Sequence, residues 1–270
     1  MMETRRIFKA SWRVLKEEGA LTLARYSLEK LYRREFHIVE HKISEETLSR
    51  NLKILQDGAD DKFPIPPISL VELVTGSFSL DWFLRSGKMT VTNIENLLVQ
   101  NSLKLSDFNT ILDFGCGCGR VIRHLNTVKR LCGCDSNPEA IEWAKDNLNF
   151  AEFSVNRQEP PNIYGDSEFD LVLALSVLTH MTEELGHRWM AEFHRLVRPD
   201  GFLILSLHGE ATLQPLTPKE RRRFLDGQVV VRGERYIGSN RCAAFHPSTY
   251  VREELERIPS RRFFHASRST

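Results

Sequence analysis

The chain has 270 residues, 37 Lys and Arg against 36 Asp and Glu, and a formal net charge of +1. At 41% hydrophobic it can bury the core of one domain with extensions, and its balanced charge gives no global case for nucleic acid as a partner. No apolar run reaches the ~20 residues of a membrane span, and Met1–Ala20 lacks the apolar core of a secretory leader; the expected compartment is the cytoplasm.

Residues 5–36 read as helix. Ile7, Phe8, Trp12 and Leu15, then Leu21, Leu23, Ala24, Leu28 and Leu31, recur at helical spacing in a segment rich in Arg and Lys. Two roles fit it: a solvated helix packing one face on the domain or on a twin subunit in a homo-oligomer, or an amphipathic helix that seeks a membrane surface or a partner protein. Residues 37–62 are polar and read as a helix plus linker. Phe63-Pro64-Ile65-Pro66-Pro67 is an extended connector that no helix crosses. Three short helices are expected next, at Leu70–Val74, Leu80–Arg85 and Val91–Asn101, with Phe78, Trp82 and Phe83 as core or as a pocket lining.

From Asn109 the pattern alternates. Strands are expected near 110–114, 130–135, 151–155, 169–175 and 201–207, and helices near 119–126, 138–148 and 183–197. That alternation predicts an α/β fold with a mostly parallel sheet and crossover helices. Residues 209–246 read as an insertion after the fifth strand. In it, Lys219–Arg223 starts a basic helix, and Gln228–Arg232 pairs with Arg235–Ile237 around Gly233. Arg221–Arg223 is either a solvated face or a clamp for an acidic substrate. The implied organisation is a helical extension at 1–62, a helical cap at 63–108 and an α/β domain at 109–270.

The cysteines form two Cys-Gly-Cys pairs, Cys116/Cys118 and Cys132/Cys134, with Cys242 apart. C-x-C is not the usual zinc spacing, and cysteine is among the most buried residue types. Packed, reduced thiols are expected, and no metal site.

Residues 111–120 read Ile-Leu-Asp-Phe-Gly-Cys-Gly-Cys-Gly-Arg. Glycines this dense let a backbone turn sharply and approach a ligand closely, and a strand entering such a loop is the usual cradle for a nucleotide-like cofactor. The dinucleotide fingerprint is G-x-G-x-x-G. Here the spacing is G-x-G-x-G, and Arg120 stands where the last glycine would be. Asp113 would repel a pyrophosphate and attract an ammonium, so the charge pattern favours S-adenosylmethionine, which carries an ammonium and a sulfonium, over NAD.

Asp113–Gly119 resembles motif I of the class I S-adenosylmethionine-dependent methyltransferases. Leu131–Asp135 resembles the family's second strand with its terminal acid, Phe169–Leu175 its fourth strand, and Leu196–Ser206 its helix–turn–fifth strand around Pro199-Asp200-Gly201. The resemblance implies a Rossmann-like sheet and a cofactor site. There, Asp113 would hold the methionine ammonium, and Gly115, Cys116, Gly117 and Gly119 would offer backbone to the methionine part. Asp135 and Ser136 would lie at the ribose, Asn156 at the adenine amine, and Leu175 and Ser176 near the transferable methyl. His180, just past the fourth strand, is the candidate general base, with His208 and His246 behind it.

Asp113–Arg123, Leu175–His180 and Phe245–Val251 resemble more closely the methyltransferases associated with glycosyltransferases and surface-polysaccharide pathways. That implies a small-molecule or glycan acceptor, methylated at a hydroxyl oxygen. Alternatives are a protein or lipid-linked acceptor, with the N-terminal helix as docking arm, or a non-catalytic cofactor-binding scaffold. The Asn/Asp-Pro-Pro-aromatic signature of many amino-group methyltransferases of nucleic acids is absent. The family's sheet closes with two further strands, the last antiparallel beside strand five. Residues 261–266 leave room for one, so a missing seventh strand is expected, exposing the edge of strand five unless the tail pairs differently or another chain fills the gap.

Overall fold

A computed structural model describes residues 43–256 and the strand Arg262–His265. The helix expected over 5–36 lies outside the described residues. Two compact units divide between Leu84 and Arg85.

In the first unit, helix α1 (Glu45–Asp57) starts at Ser44, whose hydroxyl accepts from the Thr47 N–H. Its buried Asn51 donates to the Phe78 carbonyl at 2.7 Å and accepts from the Leu80 N–H at 2.9 Å. Both ends of one amide are thus satisfied without water. Residues 63–67 run without regular structure into α2 (Ile68–Thr75), which ends at Gly76 in the left-handed region.

The two short helices expected between Leu80 and Asn101 are a single helix, α3 (Leu80–Gln100). Gly87 sits inside it for a packing reason: a Cβ there would stand 2.0 Å from the Arg120 carbonyl oxygen. Gly87 is a point of close backbone approach. Arg120 in turn reaches Ser86 and Thr90 on the same helix, at 3.4 and 3.3 Å.

The second unit is built on strands β1 (Thr110–Phe114), β2 (Arg130–Asp135), β3 (Glu152–Val155), β4 (Phe169–Leu175) and β5 (Val197–Ser206), with β8 (Arg262–His265) at the end of the chain. The order across the sheet is β3-β2-β1-β4-β5-β8, and every pairing is parallel. The order reverses between β1 and β4, the switch point where open α/β sheets place their ligands. Strand five is not left bare. The tail pairs with it in parallel, from Phe202↔Arg262 to Leu205↔His265, which is the unusual pairing the short C-terminus left open.

Helix α4 (Pro138–Asn147) is capped by Asn137, which accepts from the Ala140 N–H, and carries Pro138 in its first turn. It buries Ala140, Ile141 and Ala144. Helix α5 (Glu183–Leu196) lays Leu185, Trp189, Met190, Phe193 and Leu196 on the sheet. There Phe114 meets Trp189 and Phe193 with ring centroids 4.5 and 4.9 Å apart.

No α-helix forms over 119–126. The chain makes a short 3-10 turn at Ile122–His124 and enters β2 at Arg130, a span too short for a helix and two connections. The Pro-Asp-Gly turn lies inside β5 as a register shift opposite Phe169–Leu171. The left-handed residue is Asp200 (φ 65°), not Gly201. Gly201 is needed because a Cβ would stand 2.9 Å from the Asp170 carbonyl oxygen. Asp170 itself is structural: its buried carboxylate accepts from the Asn109 and Thr110 N–H groups and pairs with Arg198.

The insertion contains α6 (Pro218–Leu225), started by a reciprocal cap between Thr217 and Glu220. The hairpin expected around Gly233 is different. Strand β6 (Val230–Arg232) pairs antiparallel with β7 (Ala243–Phe245), and Glu234–Tyr236 is a 3-10 turn. Helix α7 (Ser248–Glu256) follows. Its Tyr250 hydroxyl lies 3.1 Å from His187 Nε2, and Glu254 lies 2.5 Å from His187 Nδ1, which ties α7 to α5. Among the described residues no helix is long and apolar enough to cross a membrane.

Candidate functional site

β1 ends at Phe114, and the chain turns through Gly115, Cys116, Gly117, Cys118 and Gly119. The three glycines have φ of 78°, 54° and 89°. Gly115 is required twice over: the backbone is left-handed, and a Cβ would stand 2.4 Å from Val177 Cγ2. The turn is tied to β2. The Gly115 and Cys116 N–H groups donate to the Cys134 carbonyl, at 2.7 and 3.0 Å. The Gly117 N–H donates to Asp135 Oδ2 at 2.9 Å, and the Asn137 N–H to Oδ1 at 2.8 Å. Two backbone donors therefore fix the Asp135 carboxylate at the end of β2. Each of its oxygens keeps a second lone pair for a ligand hydroxyl. Burial raises its pKa, opposed by these N–H bonds.

Ser136 is exposed beside Asp135. The Asn156 N–H donates to the Asp135 carbonyl at 3.0 Å, so the end of β3 joins the same edge. At the end of β4, Leu175 is followed by Ser176 in the left-handed region (φ 60°), a strained place for a residue with a Cβ. It is held by an N–H bond to the Ser206 carbonyl at 3.0 Å and a hydroxyl contact to Ser206 at 3.2 Å. The carboxyl ends of β1, β2, β3 and β4 thus carry every residue expected at the cofactor.

Residues 112–205 match the family model for a methyltransferase domain. Over those residues the chain is similar to a methyltransferase domain. Over 130 residues the chain is 27% identical to O-methyltransferase 3 of Dictyostelium discoideum, covering 44% of this chain and 29% of that one. Over 109 residues it is 30% identical to an uncharacterized methyltransferase of Synechocystis, covering 40% and 51%. A mitochondrial arginine-hydroxylase of Rattus norvegicus is 29% identical over 112 residues, covering 41% and 32%. The chain spans about half or less of the length of these relatives. A methyltransferase structure from Methanosarcina mazei superposes with a TM-score of 0.45 at 22% identity, over 59% of this chain and 82% of that one.

Two buried atoms fit S-adenosylmethionine, the cofactor that the sequence resemblance implies. Asp113 Oδ2 and Asn156 Oδ1 are out of contact with solvent and have no hydrogen-bond partner. The Asn156 amide spends a donor on the Arg157 carbonyl at 2.7 Å, which leaves its oxygen as a buried acceptor. S-adenosylmethionine brings donors for both atoms, an ammonium and an adenine amine. Burial pushes Asp113 up to about 7, opposed by the charge of Arg120. A carboxyl poised there gains from an ammonium beside it.

Cys116, Cys118, Cys132, Cys134 and Cys242 are free and buried. Burial pushes Cys118 up to about 12 and Cys132 to about 11, so these thiols stay protonated. Cys116 packs over Gly133, where a Cβ would stand 2.9 Å from its sulfur.

His180 lies in a 3-10 turn after β4, and its Nδ1 is 2.9 Å from the Cys242 carbonyl oxygen. A carbonyl only accepts, so Nδ1 carries the proton and Nε2 presents the basic lone pair. The Gly238 N–H donates to the His180 carbonyl at 2.8 Å, so the insertion holds this histidine from both sides. His208 lies two residues past β5 and bridges to Phe245. His246 is buried, and burial together with His208 and His187 pushes it down to about 4, a poor acceptor for a proton.

The insertion carries a cavity of about 450 Å³ whose lining includes His208, Thr212, Arg232, Arg241 and Phe245. Arg221–Arg223 do not line it: Arg221 donates to the Leu213 carbonyl and Arg223 to Gln228. Sequence reasoning missed Arg232 and Arg241. The available signal was basic residues flanking the turn glycine Gly233, discounted because the hairpin was drawn with the wrong partner strand.

Proposed function

We propose that this chain transfers a methyl group from S-adenosylmethionine to a hydroxyl oxygen of a small-molecule or glycan acceptor, with His180 as general base. The carrying observation is the His180 Nδ1–H bond to the Cys242 carbonyl, which sets the tautomer and directs a basic nitrogen away from the insertion. When bound, the cofactor supplies an electrophilic methyl and a neutral leaving group. Asp113 and Asn156 hold its ends, and Asp135, fixed by two N–H groups, accepts from the ribose hydroxyls. The strained Ser176 turn sets the backbone of Leu175–Val177 beside the reacting centre. His180 Nε2 would take the proton of the acceptor hydroxyl, and the Cys242 carbonyl would stabilise the resulting imidazolium. The protein's contribution is alignment in a site closed from water. The O-methyltransferase among the relatives supports an oxygen acceptor.

The test is methyl transfer from isotopically labelled cofactor to a panel of sugars, sugar phosphates and uronates. His180→Gln keeps a hydrogen-bonding side chain but supplies no base. Turnover should fall by about 10²-fold or more, while affinity for S-adenosylhomocysteine stays within about twofold. Wild-type turnover in this variant would remove His180 from the mechanism.

A further inference from the structure

The insertion builds a positively charged cavity that the cofactor does not account for. Arg232 ends β6, and Arg241 lies just before β7. Gly233 brings them together: it is left-handed (φ 70°), and a Cβ there would stand 2.1 Å from the Arg241 carbonyl oxygen. Any other residue would force the two strand ends apart. The guanidinium of Arg241 lies 3.8 Å from the centroid of the Tyr236 ring and donates to the Tyr236 hydroxyl at 2.9 Å. Arg235 lies over the same ring at 4.7 Å. Arg232 donates to the Pro215 carbonyl at 2.9 Å and stands 3.5 Å from Glu220, whose other oxygen caps α6.

The charges do not cancel. Among the described residues, Arg235 and Arg241 meet no carboxylate within ion-pair distance, and Glu220 and Glu234 are the nearby acids. Three guanidiniums gathered on one short ribbon repel one another, and an oxyanion between them relieves that repulsion. A guanidinium stacked on an aromatic ring is already oriented, so it loses little freedom on binding an anion. The cavity, about 450 Å³, has the size of an ordinary small-molecule site. It also adjoins the proposed chemistry. Arg241 and Ala243 line it, and the carbonyl of Cys242 between them holds His180. His208, two residues past β5, forms its other wall.

We infer that this cavity binds an oxyanion group of the acceptor, a carboxylate or a phosphate, through Arg232 and Arg241. The identity of the ligand as acceptor rests on the methyl-transfer reading; the anion site itself does not.

Calorimetric titration of the full chain with inorganic pyrophosphate and with glucuronate, in low-salt buffer, tests it and distinguishes the two sources. One of the two should saturate with a dissociation constant below about 10 mM. Arg241→Gln and Arg232→Gln should each weaken it by about tenfold or more, and Arg241→Lys less. Arg221→Gln should leave it unchanged. If Arg232→Gln lowers the melting temperature, the Arg241 pair carries the comparison. Failure of both anions to bind the wild-type chain, or an Arg221→Gln effect equal to that of Arg241→Gln, would overturn the site. S-adenosylhomocysteine titrated in parallel should bind wild type and all variants alike. Its failure to bind the wild type would instead overturn the methyl-transfer reading and leave the anion site standing.

Discussion

Replacing Asp113 by Asn should stabilise the protein and weaken its grip on the cofactor. The Asp113 carboxyl is buried, one oxygen has no partner, and its pKa is pushed from 3.8 up to about 7. The folded state therefore binds a proton that the unfolded chain has lost between about pH 4 and pH 7, and stability falls as pH rises through that window. A shift of about three units at ~1.4 kcal/mol each puts the cost of the ionised group at no more than about 4 kcal/mol above pH 7. Asn keeps the shape and one acceptor without the charge. At pH 8 the melting temperature of Asp113→Asn should rise by several degrees, up to about 16 °C at ~2–4 °C per kcal/mol. Linkage shrinks the gap to about 2 kcal/mol at pH 5. Cofactor binding should move oppositely. In the wild type, affinity falls below pH 7 as Asp113 protonates; in the variant it is weak and flat with pH. Thermal melts at pH 5 and pH 8, with calorimetric titrations of S-adenosylhomocysteine, read both. A variant no more stable at pH 8, or a gap that does not narrow toward pH 5, would show that Asp113 is not the strained carboxyl described.

Gly115→Ala places a Cβ 2.4 Å from Val177 Cγ2; it should reduce cofactor affinity by about tenfold or more, and adding Val177→Ala should recover part of that loss in the same titration. Ser176→Gly relieves a left-handed residue and should stabilise the fold by about 0.5–1 kcal/mol in a urea melt while lowering methyl-transfer turnover. An unchanged turnover would mean that the strain serves folding and not the site.

The glycine loop, Asp135 and the strands that carry them were legible because each follows from a local rule. Apolar runs end in turn residues, the glycines take positive φ, and an acid closes the second strand. Helix α4 was legible for the same reason, with Asn137 and Pro138 marking its start. What failed was non-local. The two short helices expected at Leu80–Arg85 and Val91–Asn101 are one helix, in which Gly87 packs against the Arg120 carbonyl. The 3-10 turn at Ile122–His124 replaces an expected helix because the span to Arg130 is short. The antiparallel partner of β6 lies beyond an intervening 3-10 turn, so the nearest β-prone residues, Arg235–Ile237, misled. Arg232 and Arg241 converge only through that pairing. The pairing of β8 with strand five likewise depends on a tail whose partner is some sixty residues away. The roles of Asp113 and Asn156 as waiting acceptors were readable only as a resemblance, since an orphaned buried oxygen has no signature in sequence.

The proposed S-adenosylmethionine site lies at the ends of β1, β2 and β3. Its decisive test is calorimetric titration of the full chain with S-adenosylhomocysteine, for the wild type and Asp135→Ala. A single saturable site is expected in the wild type, weakened by about tenfold or more when the carboxylate fixed by the Gly117 and Asn137 N–H groups is removed. No binding to the folded wild type, or equal affinity in Asp135→Ala, would contradict it.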